Sequence, residues 1–208
     1  MQFAHRSSKI LITGRSGTGK TTYFLRYLVG ADHGKKFVFD GEGELGHKLG
    51  LAAARSTDQL GAQLWRRSPY VIFDPSAMFA GEHRKAFNFF CEWSFTASKS
   101  IRGKKLLAVD ELQKISDSHS IDWEWSLVLE TGRRWGLDMV AISQAPNLIH
   151  NRVRNQLTEA VTFAHNDPNA LSFLEGVGFD PLRIQSLPNG AFIARNLVNQ
   201  AEEHGRVF

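Results

Sequence analysis

Cysteine is almost missing from this sequence: the single thiol, Cys91, leaves no intramolecular disulfide to form and fits a reducing compartment. It follows Phe89 and Phe90 in an apolar stretch, so it reads as a small buried hydrophobe and not as a nucleophile. No run approaches the ~18 apolar residues that a membrane-spanning helix needs. The longest apolar runs, at 106–109 and 140–142, are strand-sized. The first eight residues lack the apolar core of a signal peptide, so the expected location is cytoplasmic. The eight histidines never join cysteine at zinc-ligand spacings, which argues against a structural metal site. There is no internal repeat, no low-complexity tract and no Pro- or Ser-rich linker. A net charge of +4 is compatible with a polyanionic partner and does not by itself establish one.

What is present is an ordinary globular composition, 42% hydrophobic and 22% charged over 208 residues, enough for one domain with a sizeable core. Short β-branched runs alternate with longer amphipathic stretches along the whole chain. They predict strands over 9–13, 36–40, 70–74, 106–110, 139–143, 160–164 and 190–195. Helices are predicted over 20–29, 57–67, 82–97, 121–135, 147–157 and 168–177. Ser116, Asp117 and Ser118 supply capping chemistry for a helical stretch that ends at Gly136. The glycine-rich segment 41–50 reads as a loop at a sheet edge. Five-residue strands separated by helices predict a single α/β domain over 1–208. Its architecture is a three-layer sandwich, a mostly parallel sheet with helices on both faces.

Residues Gly14, Arg15, Ser16, Gly17, Thr18, Gly19, Lys20 and Thr21 match the P-loop pattern of two glycines with four residues between them, followed by Lys and a hydroxyl residue. The glycines let successive N–H groups turn inward around phosphate oxygens. Lys20 is placed to reach the β- and γ-phosphates of ATP, and Thr21 to coordinate Mg2+. Thr22 completes the nucleotide-binding set at the start of a helix whose N-terminus favours an anion. The context is that of a working P-loop, since 10–13 is a strand running into it and Tyr23, Phe24 and Leu25 continue as an amphipathic helix.

Further along, four apolar residues deliver Asp110 and Glu111 to the carboxyl edge of the sheet, where open α/β folds bind ligands. There Asp110 is expected to hold Mg2+ and Glu111 to act as general base toward the attacking water. Another apolar strand ends in Ser143 and Gln144. An amide at that edge is suited to sensing the γ-phosphate or orienting the water. Read as residues alone, Arg133 and Arg134 are two exposed cations placed well against a helix dipole.

These segments, in this order, resemble the FtsK–HerA superfamily of DNA-pumping ATPases, and within it the genome-packaging ATPases of icosahedral viruses with internal membranes. The residues that carry the resemblance are the P-loop, Val109-Asp110-Glu111, and Gly132-Arg133-Arg134-Trp135-Gly136 leading into Ala141-Ile142-Ser143-Gln144-Ala145-Pro146. It covers the chain to about residue 146. It implies a RecA-like P-loop core of the ASCE class, an arginine finger at Arg133 acting in trans (Arg134 as fallback), and a homo-oligomeric ring, by implication a homohexamer. Double-stranded DNA gripped without sequence readout is the implied substrate. Capsid or portal-vertex proteins are implied partners, and the host cytoplasm or a packaging vertex the place of action. Basic residues cluster at Lys35 and Lys36, Arg66 and Arg67, residues 99–105, and Arg152 and Arg154, and three segments are candidate DNA contacts: 98–105, 151–155, and the loop from Gln113 and Lys114 to His119. Trp123, Trp125 and Trp135 fall on one predicted helix, where packing outranks base stacking. Three other readings stay open: a conjugation- or filamentous-phage-type ATPase, a nucleotide-gated assembly factor that does not translocate, and a small-molecule kinase.

Overall fold

A computed structural model describes residues 8–208. The predicted absence of a signal-peptide core falls almost wholly outside them. Eight strands form one sheet: β1 (Lys9–Thr13), β2 (Lys35–Phe39), β3 (Tyr70–Phe73), β4 (Lys105–Val109), β5 (Leu137–Ser143), β6 (Glu159–Thr162), β7 (Ala191–Asn196) and β8 (Glu202–Arg206). Their order is β3-β2-β4-β5-β1-β6-β7-β8. β2 pairs in parallel with β3 and β4, and β1 with β6, while β7 and β8 join as antiparallel strands. The chain therefore has a mostly parallel α/β architecture.

The contacts divide the chain into two compact units. The first comprises the stretch to Lys9, Asp32–Asp110 and Asp122–Val140. Its core is aromatic: Phe37, Phe39, Phe73, Phe87 and Phe90 are wholly buried, and Phe73 stacks on Phe90 with ring centroids 5.3 Å apart. The helix α5 (His83–Ser100) follows α1 (Lys20–Gly30), α2 (Leu45–Lys48), α3 (Thr57–Leu64) and α4 (Ser76–Phe79) along the chain. It buries Ala86, Phe87, Phe90, Cys91, Ser94, Phe95, Ala97 and Ser98, the three-and-four spacing of one helical stripe. Cys91 lies in that stripe, and burial pushes its thiol pKa well up, as an inert core residue requires.

Departures from the predicted elements have local causes. α3 stops at Leu64, short of 67, because Pro69 keeps Ser68 out of the helical region and Lys35 Nζ takes the carbonyls of Arg66 and Ser68 at 2.7 and 2.8 Å. The long helix over 121–135 becomes α6 (Trp123–Thr131) followed by a 3-10 turn, Gly132–Trp135. The capping groups upstream serve other partners: Asp117 accepts from His119 N–H and Ser120 Oγ, and Ser116 Oγ accepts from His150 N–H. On α6, Trp125 packs against Phe87 in the core while Trp123 is 72% exposed. The segment 41–50 is not all loop, since Asp40 accepts from the N–H groups of Glu44 and Gly46 and so starts α2.

The second unit comprises Ile10–Ala31, Glu111–Ile121 and Ala141–Phe208. Here the helix predicted over 147–157 is broken into a 3-10 turn, Pro146–Leu148, and the single-turn α7 (Asn151–Arg154). Ile149, Val153 and Leu157 are buried at helical spacing, which misled the reading. The extended backbone at His150, whose Nδ1 accepts from Arg152 N–H, makes the break. α8 (Pro168–Glu175) and α9 (Pro181–Gln185) are each capped by the aspartate before a proline, Asp167 and Asp180. β8 has no apolar run to announce it. It is a polar edge strand held by main-chain pairing to β7 and by Glu202, which accepts from Arg195 at 2.6 Å.

Candidate functional site

β1 is buried from end to end and feeds the loop at residues 14–19 directly into α1. Two glycines are obligatory there. At Gly14 (φ 155°) a Cβ would lie 2.6 Å from Phe163 Cβ, and at Gly19 (φ 107°) 2.6 Å from Val207 Cγ2. Neither space nor backbone conformation admits a side chain. Gly19 caps α1 with no side-chain acceptor for its first N–H groups, and the first turn carries no acidic residue. The helix start thus keeps its positive end for an outside anion.

Lys20 is only 6% exposed, and its ammonium donates to Arg15 O at 2.8 Å, a carbonyl that also accepts from Thr18 Oγ1 at 2.8 Å. A buried cation satisfied by its own loop is well matched to a polyphosphate that would take over those contacts. This donor set fits ATP. Thr21 and Thr22 lie in the first turn of α1 and are half-buried.

Beneath the loop lies a residue the sequence reading passed over. His165 Nε2 and Thr13 Oγ1 are 2.8 Å apart, both groups buried. Burial, reinforced by the Lys20 charge and opposed by Asp167, pulls the ring pKa down to about 4. The ring is therefore neutral at pH 7, and it places no second cation beside Lys20. Its signal in the sequence was positional: it follows β6, the parallel neighbour of β1, as the P-loop follows β1. The depressed pKa has a consequence for stability. Between pH 6.5 and about 4 the unfolded chain binds a proton here that the folded chain refuses, so stability is lost as pH falls through that window. The expected loss is on the order of 3 kcal/mol. Urea unfolding of wild type and His165→Asn at pH 7 and pH 4.5 checks it: the variant is expected to show a shallower pH dependence, and equal slopes would contradict the assignment.

Glu111 follows β4 and Asp110 in left-handed backbone (φ 51°, ψ 50°), a conformation that costs a non-glycine residue about 1–3 kcal/mol. Strain of that kind is retained where a side chain must be aimed. Glu111 Oε1 accepts from Gln144 Nε2 at 2.8 Å and Oε2 accepts from Gln113 Nε2, while Gln113 Oε1 accepts from Gln144 N–H at 3.1 Å. Sequence order suggested Glu111 and Gln144. The structure brings them together and adds Gln113, considered only as part of a DNA loop, as the link between them. Asp110 is half-buried at the exit of β4.

Arg133 and Arg134 are exposed on the 3-10 turn after α6. Among the described residues neither guanidinium is ion-paired. Lys9 has its pKa lowered first by burial and then by Arg133, while Asp138 and Glu130 oppose the shift. Several basic clusters are less available than the sequence implied. Lys36 and Lys105 are buried, with Lys105 Nζ donating to Ile101 O and Gly103 O, and Lys99 and Arg154 lie over the rings of Phe95 and Phe173. Arg102 and Lys104 remain exposed in the loop before β4, as do Arg66 and Arg67.

No family model matches the sequence, and no curated protein matches it. Solved structures do. The genome-packaging NTPase B204 of Sulfolobus turreted icosahedral virus 2, in complex with AMPPCP, superposes with a TM-score of 0.74 at 17% identity, covering 96% of this chain and 97% of that one. Its sulfate complex gives 0.76 at 16% identity, with 97% of both chains covered. The pCW3 conjugation coupling protein TcpA with ATPγS gives 0.56 at 14% identity, covering 95% of this chain and 59% of that one. This chain shares the fold of these nucleotide-binding proteins.

Proposed function

We propose that this chain is a Mg-ATP-driven DNA translocase that works as a ring of identical copies and moves a viral genome into a preformed capsid. The observation that carries the reading is the P-loop: a turn whose Gly14 and Gly19 leave no room for side chains, a helix start without a side-chain cap, and a buried lysine whose ammonium donates to the carbonyl of Arg15 in the same loop. Likeness to a packaging NTPase over nearly the whole of both chains supports this reading. In the conjugation protein the same fold accounts for only part of a longer chain, which gives that alternative less support. Among the described residues no helix is long and apolar enough to cross a membrane.

In this reading the amides of residues 14–19 and Lys20 hold the β- and γ-phosphates. Thr21 and Asp110 would hold Mg2+, which supplies neutralising charge to the phosphate oxygens when bound. Glu111 takes the proton of the attacking water, and Gln113 and Gln144 fix the direction of its carboxylate. Arg133 of a neighbouring copy stabilises the charge that develops on the transferred phosphoryl group. The loop carrying Arg102 and Lys104 offers exposed cations suited to gripping DNA phosphates without reading bases. The test is ATP turnover with and without long duplex DNA: stimulation by DNA is expected, and turnover indifferent to DNA would remove the translocase.

A further inference from the structure

The end of the chain is tied to the P-loop more closely than a strand hairpin needs. Gly190 N–H, just before β7, donates to Thr18 O at 3.2 Å, and Val207 N–H, just after β8, donates to Gly190 O at 2.9 Å. Val207 is 2% exposed and closes one side of Gly19. Phe208 lies alongside, with Cε1 3.3 Å from where a Gly19 Cβ would be. Three adjoining carbons of its ring, Cε2, Cδ2 and Cζ, sit 2.7, 2.8 and 3.1 Å from the corresponding point on Gly190. Distances so nearly equal mean that the ring lies flat on the glycine backbone, which only a residue without Cβ permits. Yet Phe208 is 64% exposed. One face of the ring is pinned on Gly190, and most of the residue is exposed, beside the residue that caps α1.

An aromatic ring kept only to fill space would be covered on both faces. One held flat beside a phosphate cradle has the geometry of a stacking platform, because every nucleobase presents a π-face of matching size. We propose that the open face of Phe208 is the surface on which the base of the bound nucleotide stacks. This rests on the reading of residues 14–21 as the phosphate site: the phosphates lie against the loop amides, and the nucleoside leaves them past Gly19. Stacking reads no hydrogen-bond pattern, so the subsite takes nucleoside triphosphates as a class with little preference among bases.

The test compares two ligands, ATP and inorganic tripolyphosphate, which carry the same phosphate chain with and without a base. Calorimetric titration of Phe208→Ala is expected to show ATP bound about 5- to 100-fold more weakly than by wild type, the span of one base–aromatic stack. Tripolyphosphate affinity is expected to stay within about twofold, and Phe208→Tyr to restore ATP binding. Equal weakening of both ligands would overturn the platform by making Phe208 a prop for the loop, and no change in either would overturn it outright. Lys20→Ala separates this from the underlying reading. If that variant binds both ligands as wild type does, the phosphate site itself is wrong. If it loses both while Phe208→Ala loses neither, the phosphate site stands and the base platform falls.

Discussion

Glu111→Gln is expected to lower ATP turnover about 10²- to 10⁴-fold with ATP affinity nearly unchanged, the loss associated with removing a positioned general base. The substitution keeps size and shape, and the phosphate-binding residues 14–21 are untouched. What changes is chemistry. A carboxylate accepts at both oxygens, and here both are used, by Gln144 at 2.8 Å and by Gln113. An amide offers one acceptor and an NH2, so one of these neighbours loses its acceptor and the water loses its base. The strained backbone at this position is unaffected, because Gln tolerates φ 51° no worse than Glu. Steady-state kinetics and nucleotide binding on the same preparation decide the matter. A variant that hydrolyses at the wild-type rate would sink the assignment of Glu111 as base.

The larger effect is expected at Arg133. A finger that stabilises transition-state charge contributes about 10³–10⁵ in turnover, so Arg133→Ala should be nearly inactive while still binding ATP. The surroundings explain why this guanidinium suits a neighbour's site. It is exposed, and among the described residues it has no ion-pair partner. An anion brought by another copy of the chain would supply one. On the proposed trans arrangement, mixing Arg133→Ala with Glu111→Gln is expected to restore part of the activity. A mixed ring contains sites with an intact Glu111 facing an intact Arg133. Full activity of Arg133→Ala alone, or no recovery on mixing, would contradict the trans arrangement. Loss of activity in Arg134→Ala, with recovery on mixing, would move the finger one residue along.

Much of this was legible in the sequence where local and global demands agree. β1 has the predicted bounds because an apolar β-branched run, Ile10-Leu11-Ile12, meets a glycine loop that no helix or strand could absorb. The stripe on α5 was legible for the same reason, its apolar residues recurring at helical spacing. What escaped depends on partners distant in the chain. β8 is a strand only because β7 is there to pair with Glu202–Arg206, and its side chains carry no strand pattern. The capping residues at 116–118 looked like a helix start, but tertiary hydrogen bonds to His150 and within the loop claimed them first. In the candidate site, Lys20, Glu111 and Gln144 stood out because each ends or follows a recognisable strand. His165 and Gln113 did not, since their importance lies in what they touch: Thr13 across two parallel strands, and Glu111 across a 3-10 turn. Phe208 was equally silent, an apolar residue with no pattern around it until its ring is seen against Gly190.

The proposal of a DNA-stimulated ring ATPase is tested most directly by Mg-ATP hydrolysis of the purified chain over a concentration series, with and without long duplex DNA. The expected result is turnover per chain that rises steeply with protein concentration, as sites are completed by a neighbour's arginine, and rises further with DNA. Turnover per chain that is flat across the series and unmoved by DNA would contradict it.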